Sequence, residues 1–188
     1  MAVTSEMIKT LRARTGAGVM DCRRALEEAK GDMDRAAELL RAKGMAEVAK
    51  RSGRTASEGV VDAYVHTGGR LGALVELNCE TDFVARTDEF QKLARELAMQ
   101  IAATAPQFVS KDDVPADVLA ERRKTLAGEG DGADADQRLA QWLEDVALLD
   151  QPYIRDASRR VRDVIGDTQA RVGEHIQVRR FSRFKLGD

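Results

Sequence analysis

The chain has 188 residues, of which 43% are apolar and 33% are charged. This length suits one ordinary domain with a small additional module and excludes a large multidomain enzyme. The composition is not that of a disordered chain, and no apolar run is long enough to predict a membrane span. The N-terminal residues lack a basic segment followed by an apolar one, so we expect no secretory signal. The two cysteines, Cys22 and Cys79, are isolated, which is typical of a protein of the reducing cytoplasm.

Residues 4 to about 44 have the apolar spacing of three short helices, the first behind a cap at Thr4 or Ser5. The two glycines of Gly16-Ala-Gly18 predict the turn that ends the first helix, and Gly44 is expected to end the third. A bundle of about forty residues buries little apolar surface. Apolar groups at the glycine turn are therefore expected to be exposed and to serve a partner.

In the middle of the chain the apolar period changes from that of helices to two, which is the period of strands. Runs at 61–65 and 71–77, joined through Gly68-Gly69, predict a β-hairpin. The stretch 175–184 alternates again, with a change of phase near Phe181, and predicts a third strand beside the hairpin. The predicted fold class is α+β, with an antiparallel three-stranded sheet packed with helices.

Apolar residues at helical spacing predict further helices at about 90–101, 139–149 and 161–165. Residues 110–136 are acidic and contain glycine, and 128–132 is the most loop-like piece of the chain.

A change of composition at residues 45–55 predicts a domain boundary, with this segment acting as a helical extension or a linker. The predicted domains are 1–54, a three-helix domain with its linker, and 55–188, an α+β core. Gly59 and Gly72 lie inside or beside predicted strands and indicate the close approach of another backbone.

The sequence contains little that points to an enzyme. It lacks the phosphate-binding, dinucleotide-binding and metalloprotease motifs. A metal site built from Cys79, Glu80, Asp82 and His66 is disfavoured, because known sites use closer ligand spacing. We therefore predict no catalytic residue, no metal and no cofactor.

Two predicted loops, Thr15–Cys22 and Glu80–Arg86, are the candidate binding sites, since loops on rigid scaffolds collect binding residues. A generic interpretation stays open for each. In the first loop, Val19 and Met20 would pack inside the helical bundle. In the second, Thr81 or Asp82 would cap a helix and Phe83 would join the core.

Taken together, these segments resemble the sequence blocks of a known family. The residues that carry the resemblance are, in chain order, Thr15-Gly-Ala-Gly-Val-Met-Asp-Cys-Arg-Arg-Ala-Leu26, Gly31-Asp32, Leu40-Arg-Ala-Lys-Gly44, Glu58-Gly59, Glu76-Leu-Asn-Cys-Glu-Thr-Asp-Phe-Val-Ala85, Leu149-Asp-Gln-Pro-Tyr153 and Gly173-Glu-His-Ile-Gln-Val-Arg-Arg-Phe-Ser-Arg-Phe184. In order and spacing, over essentially the whole chain, they closely resemble bacterial elongation factor Ts in its short form.

The resemblance implies an N-terminal ubiquitin-associated-like three-helix module followed by an α+β core. It implies guanine-nucleotide exchange on the translational GTPase elongation factor Tu, in its GDP-bound and nucleotide-free states, without covalent chemistry or a cofactor. This chain has one hairpin-plus-helix unit where longer members have two, and short members resemble half of the usual core. The resemblance therefore also implies a homodimer, in the cytoplasm.

The resemblance further implies which residues contact the GTPase. Phe83 would wedge near the Mg²⁺ site, and Asp82 would perturb the groups that order the ion without ligating it. The implied contacts of the core are Thr81, Asp82, Phe83 and Val84. The implied contacts of the N-terminal module are Leu11, Gly16, Gly18, Val19 and Met20.

Two other functions stay open. Residues 155–185 hold nine Lys or Arg against four Asp or Glu, which suits an RNA-binding translation accessory protein. Its basic-aromatic strand would present Arg179, Arg180, Phe181, Arg183, Phe184 and Lys185. The acidity of the remaining chain argues against it. A hydrolase that uses His66, Cys79 and Asp82 is the more remote alternative.

Overall fold

A computed structural model describes residues 3–128 and 132–188, and the chain divides into two compact units. The first unit contains Met1–Thr55 and Gly166–His175, and the second contains Ala56–Ile165 and Ile176–Asp188. The division into domains 1–54 and 55–188 stays a prediction, because independent folding is a thermodynamic property.

Three helices form most of the first unit, at Ser5–Thr15 (α1), Val19–Glu28 (α2) and Met33–Arg51 (α3). The predicted cap at Thr4 is confirmed: its side chain accepts a hydrogen bond from the Met7 amide at 3.3 Å. The buried residues of these helices form one small core, made of Leu11, Cys22, Ala25, Leu26, Ala29 and Ala36.

The prediction that the third helix ends at Gly44 is wrong, because α3 continues to Arg51. A Cβ atom on Gly44 would lie 3.1 Å from the Cβ of Ala170, on the helix Val161–Val172 (α8). The same crossing brings Gly166 close to Met45, whose sulfur would lie 3.1 Å from an added Cβ. Gly44 therefore permits close helix packing instead of ending the helix.

The predicted three-stranded antiparallel sheet is confirmed in the second unit. Its strands are Glu58–Val65 (β1), Leu71–Cys79 (β2) and Gln177–Lys185 (β5), in the order β1-β2-β5. At Gly59 φ is +149°, and an added Cβ would lie only 2.1 Å from the Leu77 carbonyl oxygen. The close backbone approach predicted there is thus confirmed.

One face of the sheet packs on the helix Asp88–Thr104 (α5) and forms the larger core. The strand register shifts where Glu76 pairs with Arg180 and Leu77 pairs with Val178, so Arg179 is the extra residue. The predicted change of phase therefore exists, slightly before Phe181. Buried residues of this core include Ala73, Val75, Leu77, Cys79, Phe90, Leu93, Leu97, Ile101, Ile176 and Val178.

The acidic stretch 110–136 is mostly helical, since helices span residues 116–128 and 132–146. These helices, Ala116–Gly128 (α6) and Gly132–Val146 (α7), share a small apolar cluster. Residues 129–131, within the piece expected to be most loop-like, lie outside the described residues.

A short hairpin that the sequence did not predict follows, with strands Pro152–Tyr153 (β3) and Asp156–Arg160 (β4). A turn helix, Asp82–Ala85 (α4), separates β2 from α5. Across residues 3–128 and 132–188, no helix has the length and apolar character required to cross a membrane.

Candidate functional site

The turn between α1 and α2 is held by hydrogen bonds that fix its backbone. Gly16 adopts φ +70°, and its amide donates to the Arg12 carbonyl at 2.8 Å. The Thr15 hydroxyl donates to the Leu11 carbonyl at 2.8 Å and accepts from the Ala17 amide at 3.3 Å. These bonds tie the turn to the last residues of α1, so the turn forms a platform at the end of that helix.

Two apolar side chains project from this platform. Val19 is 48% exposed and Met20 is 61% exposed, so the interpretation that packs both inside the bundle is wrong. Leu11, in contrast, is completely buried among the three helices. Its side chain supports the turn and is not available at the surface, whereas those of Val19 and Met20 are.

A cluster of charges lies beside Gly18, the residue before α2. Asp21 accepts hydrogen bonds from Lys43 and Arg24, each at 2.7 Å. The bond from Lys43 holds the pKa of the Asp21 carboxyl below its usual range. This carboxylate stays charged at neutral pH and links α2 to α3 at the residue that follows the exposed apolar pair.

The second candidate loop is fixed by two threonines at the ends of α4. The Thr81 hydroxyl accepts from the Val84 amide at 3.3 Å, and the Thr81 carbonyl accepts from the Cys79 thiol at 3.1 Å. The Thr87 hydroxyl donates to the Val84 carbonyl at 2.7 Å. Thr81 is therefore a helix cap, as one of the two sequence interpretations predicted.

Phe83 stands out from this anchored turn and is 76% exposed. The two residues that follow it, Val84 and Ala85, are buried. The generic interpretation, in which Phe83 joins the core, is wrong. An aromatic ring in water, held by a turn whose neighbouring side chains anchor it, has the geometry of a contact for another molecule.

An ion pair lies next to this ring. Nη2 of Arg86 donates to Oδ2 of Asp82 at 2.7 Å, with 78% of the arginine and 62% of the aspartate side chain exposed. Arg86 ends the candidate loop but is absent from the contacts implied by the sequence, although its spacing of four residues from Asp82 was a usable signal. We refer to Asp82, Phe83 and Arg86 as the α4 tip.

The structure separates His66 from Cys79, which the disfavoured metal site and the alternative hydrolase would both require together. His66 donates its amide to the carbonyl of Leu71 at the closed end of the hairpin, whereas Cys79 pairs with Glu58 at the open end. At about 3.3 Å per strand residue, eight residues place them about 25 Å apart. In the described part of the chain, no three His, Cys, Asp or Glu side chains form a group that could hold a metal.

The basic strand β5 uses several of its cations within the chain. Nε of Arg180 bonds Oε2 of Glu76 at 2.6 Å, and Nε of Arg183 donates to the Ala102 carbonyl at 3.0 Å. Lys185 contacts Asp188 at 3.3 Å. These contacts reduce the free positive surface that an RNA ligand would require.

The face of the sheet opposite α5 exposes large apolar side chains around the Glu76–Arg180 ion pair. The strand register brings these side chains to one side of β1, β2 and β5. We call this surface the outer sheet face, and its exposed apolar residues are Val61, Val65, Leu74 and Phe184.

Comparison with known proteins matches residues 29–188 to the family described as Elongation factor TS. The chain belongs to the elongation factor Ts family. An Elongation factor Ts from Carboxydothermus hydrogenoformans is 52% identical over 195 aligned positions, which cover 99% of this chain and 90% of the relative. Another, from a Thermoanaerobacter species, is 47% identical and covers 99% and 96%.

A third relative, Elongation factor Ts from an Anaeromyxobacter species, is 49% identical over 99% of this chain and 89% of its own length. Membership of the elongation factor Ts family gives the chain a role in translation elongation. The family match contains the α4 tip, whereas the glycine turn precedes residue 29 and falls within the alignments to the relatives.

Proposed function

We propose that this chain is a guanine-nucleotide exchange factor that promotes GDP release from elongation factor Tu in the cytoplasm. It forms no covalent bond, uses no cofactor and binds the GTPase in its GDP-bound and nucleotide-free states. The observation that carries the proposal is the exposed Phe83 ring on an anchored turn, in a chain of the elongation factor Ts family.

Nucleotide exchange requires that the chain bind the nucleotide-free GTPase and the GDP-bound GTPase with different affinities. An exposed contact on an anchored turn can provide that difference. If the chain binds nucleotide-free GTPase more tightly than the GDP-bound form, its binding must weaken GDP binding by the same factor. Each tenfold factor corresponds to about 1.4 kcal/mol of differential contact. Burial of one aromatic ring with a few polar contacts has the magnitude needed for several such factors.

The two candidate loops have different roles in the proposed exchange. The α4 tip inserts near the Mg²⁺ site, with Phe83 as the wedge and Asp82 as the group that perturbs the ion's environment. Thr81 and Val84 hold this tip, by a helix cap and by burial. At the N-terminal module, Val19 and Met20 dock on the nucleotide-binding domain of the GTPase, while Gly16, Gly18 and Leu11 shape the platform beneath them.

The direct experiment measures the release of labelled GDP from purified elongation factor Tu, with and without this chain. The expected result is accelerated release that rises with the concentration of the chain. Val19→Ala with Met20→Ala lowers the apparent affinity, whereas Ile154→Ala, at another exposed apolar residue, leaves it unchanged. If the rate of GDP release is the same with and without the wild-type chain, the proposal is wrong.

The proposed assembly is a homodimer through the outer sheet face. Contiguous exposed apolar residues on a sheet are typical of an interface. The central ion pair supports a second copy as the occupant, because each protomer brings both Glu76 and Arg180 and a two-fold axis can place opposite charges together. RNA binding is less well supported, since β5 pairs three of its cations internally.

A further inference from the structure

Arg86 is an exposed cation whose contact with Asp82 does little for folding. Both side chains are mostly in water, and exposed ion pairs contribute little to stability. Because Val84 and Ala85 are buried, Asp82, Phe83 and Arg86 occupy the solvent side of α4. Phe83 and Arg86 are three residues apart along this turn, so a partner surface that covers the ring and extends to its neighbour also covers the guanidinium.

A guanidinium that is covered by protein needs an acceptor in place of water. In the free chain, the described acceptor of Arg86 is the Asp82 carboxylate. The proposed function directs that same carboxylate to groups of the GTPase. When Asp82 changes partner, Arg86 must find a second acceptor within the interface.

We propose that Arg86 is a further contact residue for elongation factor Tu, which exchanges its bond to Asp82 for a bond to a carboxylate of the GTPase. This inference rests on the proposed function. The acceptor is a protein carboxylate and not a phosphate of GDP, because a contact to the nucleotide is lost when GDP leaves. Such a contact would favour the GDP-bound state and oppose release.

The first test compares the affinity of full-length variants for nucleotide-free elongation factor Tu by equilibrium titration. Arg86→Gln is expected to weaken binding about tenfold, and Arg86→Lys to keep part of the affinity, because it keeps the charge but not the fork of donors. Arg123→Gln is the matched control. Arg123 is an exposed arginine of α6 that faces Asp136 at 3.6 Å, and its loss changes the net charge equally.

A double-mutant cycle separates a direct contact from mere positioning of Asp82. If Arg86 contacts the GTPase, Arg86→Gln still weakens binding severalfold in an Asp82→Asn background. If Arg86 only orients Asp82, the second substitution is silent in that background, and the proposal is wrong. The direct contact also predicts that Arg86→Gln makes the affinity less dependent on salt.

The outcomes distinguish this inference from the function on which it rests. A wild-type chain that neither binds nor accelerates GDP release refutes the proposed function. A wild-type chain that does both, with Arg86→Gln and Arg123→Gln equal to it, refutes only the role of Arg86. A tenfold loss confined to Arg86→Gln, with an unchanged melting temperature and a severalfold loss that persists in the Asp82→Asn background, supports it.

Discussion

The side chain of Arg171 covers Gly16 in the first unit: a Cβ atom on Gly16 would lie 2.8 Å from Cδ of Arg171. The glycine turn is therefore constrained twice, by its positive φ of +70° and by the arginine that lies against it. Gly18, two residues later, has an ordinary φ of −61° and caps α2 without a side-chain bond.

The same substitution at these two glycines is expected to have opposite effects. Gly16→Ser should destabilise the first unit by about 1–2 kcal/mol, because a side chain is strained at positive φ. Gly18→Ser should stabilise it by a few tenths of a kcal/mol, because serine can cap α2. Urea unfolding midpoints measure both, and a Gly16→Ser variant as stable as wild type would contradict the backbone argument.

Phe83→Ala should reduce the stimulation of GDP release at least about tenfold while leaving the melting temperature within about a degree of wild type. The reason is that Phe83 lies in water and contributes little to the core. Phe90→Ala is the matched control, since Phe90 is fully buried and its loss should cost about 3–5 kcal/mol. If Phe83→Ala unfolds the chain as Phe90→Ala does, Phe83 has a structural role instead.

Phe184→Asp should convert the proposed dimer to a monomer, because it places a charge on the outer sheet face. Sedimentation equilibrium at micromolar concentration measures the change in mass. Val118→Asp, at an exposed apolar residue of α6, should leave the mass unchanged. A wild-type chain that sediments as a monomer would refute the proposed dimer and would leave the exchange proposal unaffected.

Folding stability should fall in strongly alkaline solution through Tyr153. Its hydroxyl donates to Oε2 of Glu96 at 2.8 Å, and burial followed by this carboxylate raises the pKa of Tyr153 from 10.0 to about 12. Since the folded state favours the neutral phenol, this stabilisation is complete below pH 10 and is lost as the pH rises through about 12.

Urea midpoints measured from about pH 9 to pH 12 test this prediction against a tyrosine control. Tyr153→Phe should lack this part of the decline, whereas Tyr64→Phe, at the tyrosine that contacts His66 at 2.9 Å, should retain it. A decline of equal size in Tyr153→Phe would mean that other groups cause the alkaline loss.

The elements that the sequence predicted well are those in which side-chain spacing alone determines the burial pattern. The hairpin and β5 alternate, and α5 has a continuous apolar stripe. The prediction that α3 ends at Gly44 was wrong because a glycine can either end a helix or allow close packing of two helices. Which of these occurs depends on Ala170, more than a hundred residues away. The helix α6 was missed because only Leu126 of its residues is buried, which leaves little periodicity to detect.

The candidate loops could be located from the sequence, but the direction of their side chains could not. Phe83 and Phe90 are both aromatic residues near helix starts, yet one is exposed and the other is in the core. The difference arises because the bonds of Thr81 and Thr87 make α4 a separate turn, which buries Val84 and Ala85 in place of Phe83. That arrangement depends on tertiary packing, which composition and spacing do not encode.

Each unit contains one inaccessible thiol, Cys22 in the first and Cys79 in the second. A thiol-alkylating reagent can reach either sulfur only after the surrounding structure opens. In single-cysteine variants, Cys79→Ser and Cys22→Ser, the alkylation rate therefore reports the free energy of opening the structure around the one remaining sulfur. The chain thus carries a natural probe of local stability in each unit, and these probes need no added label.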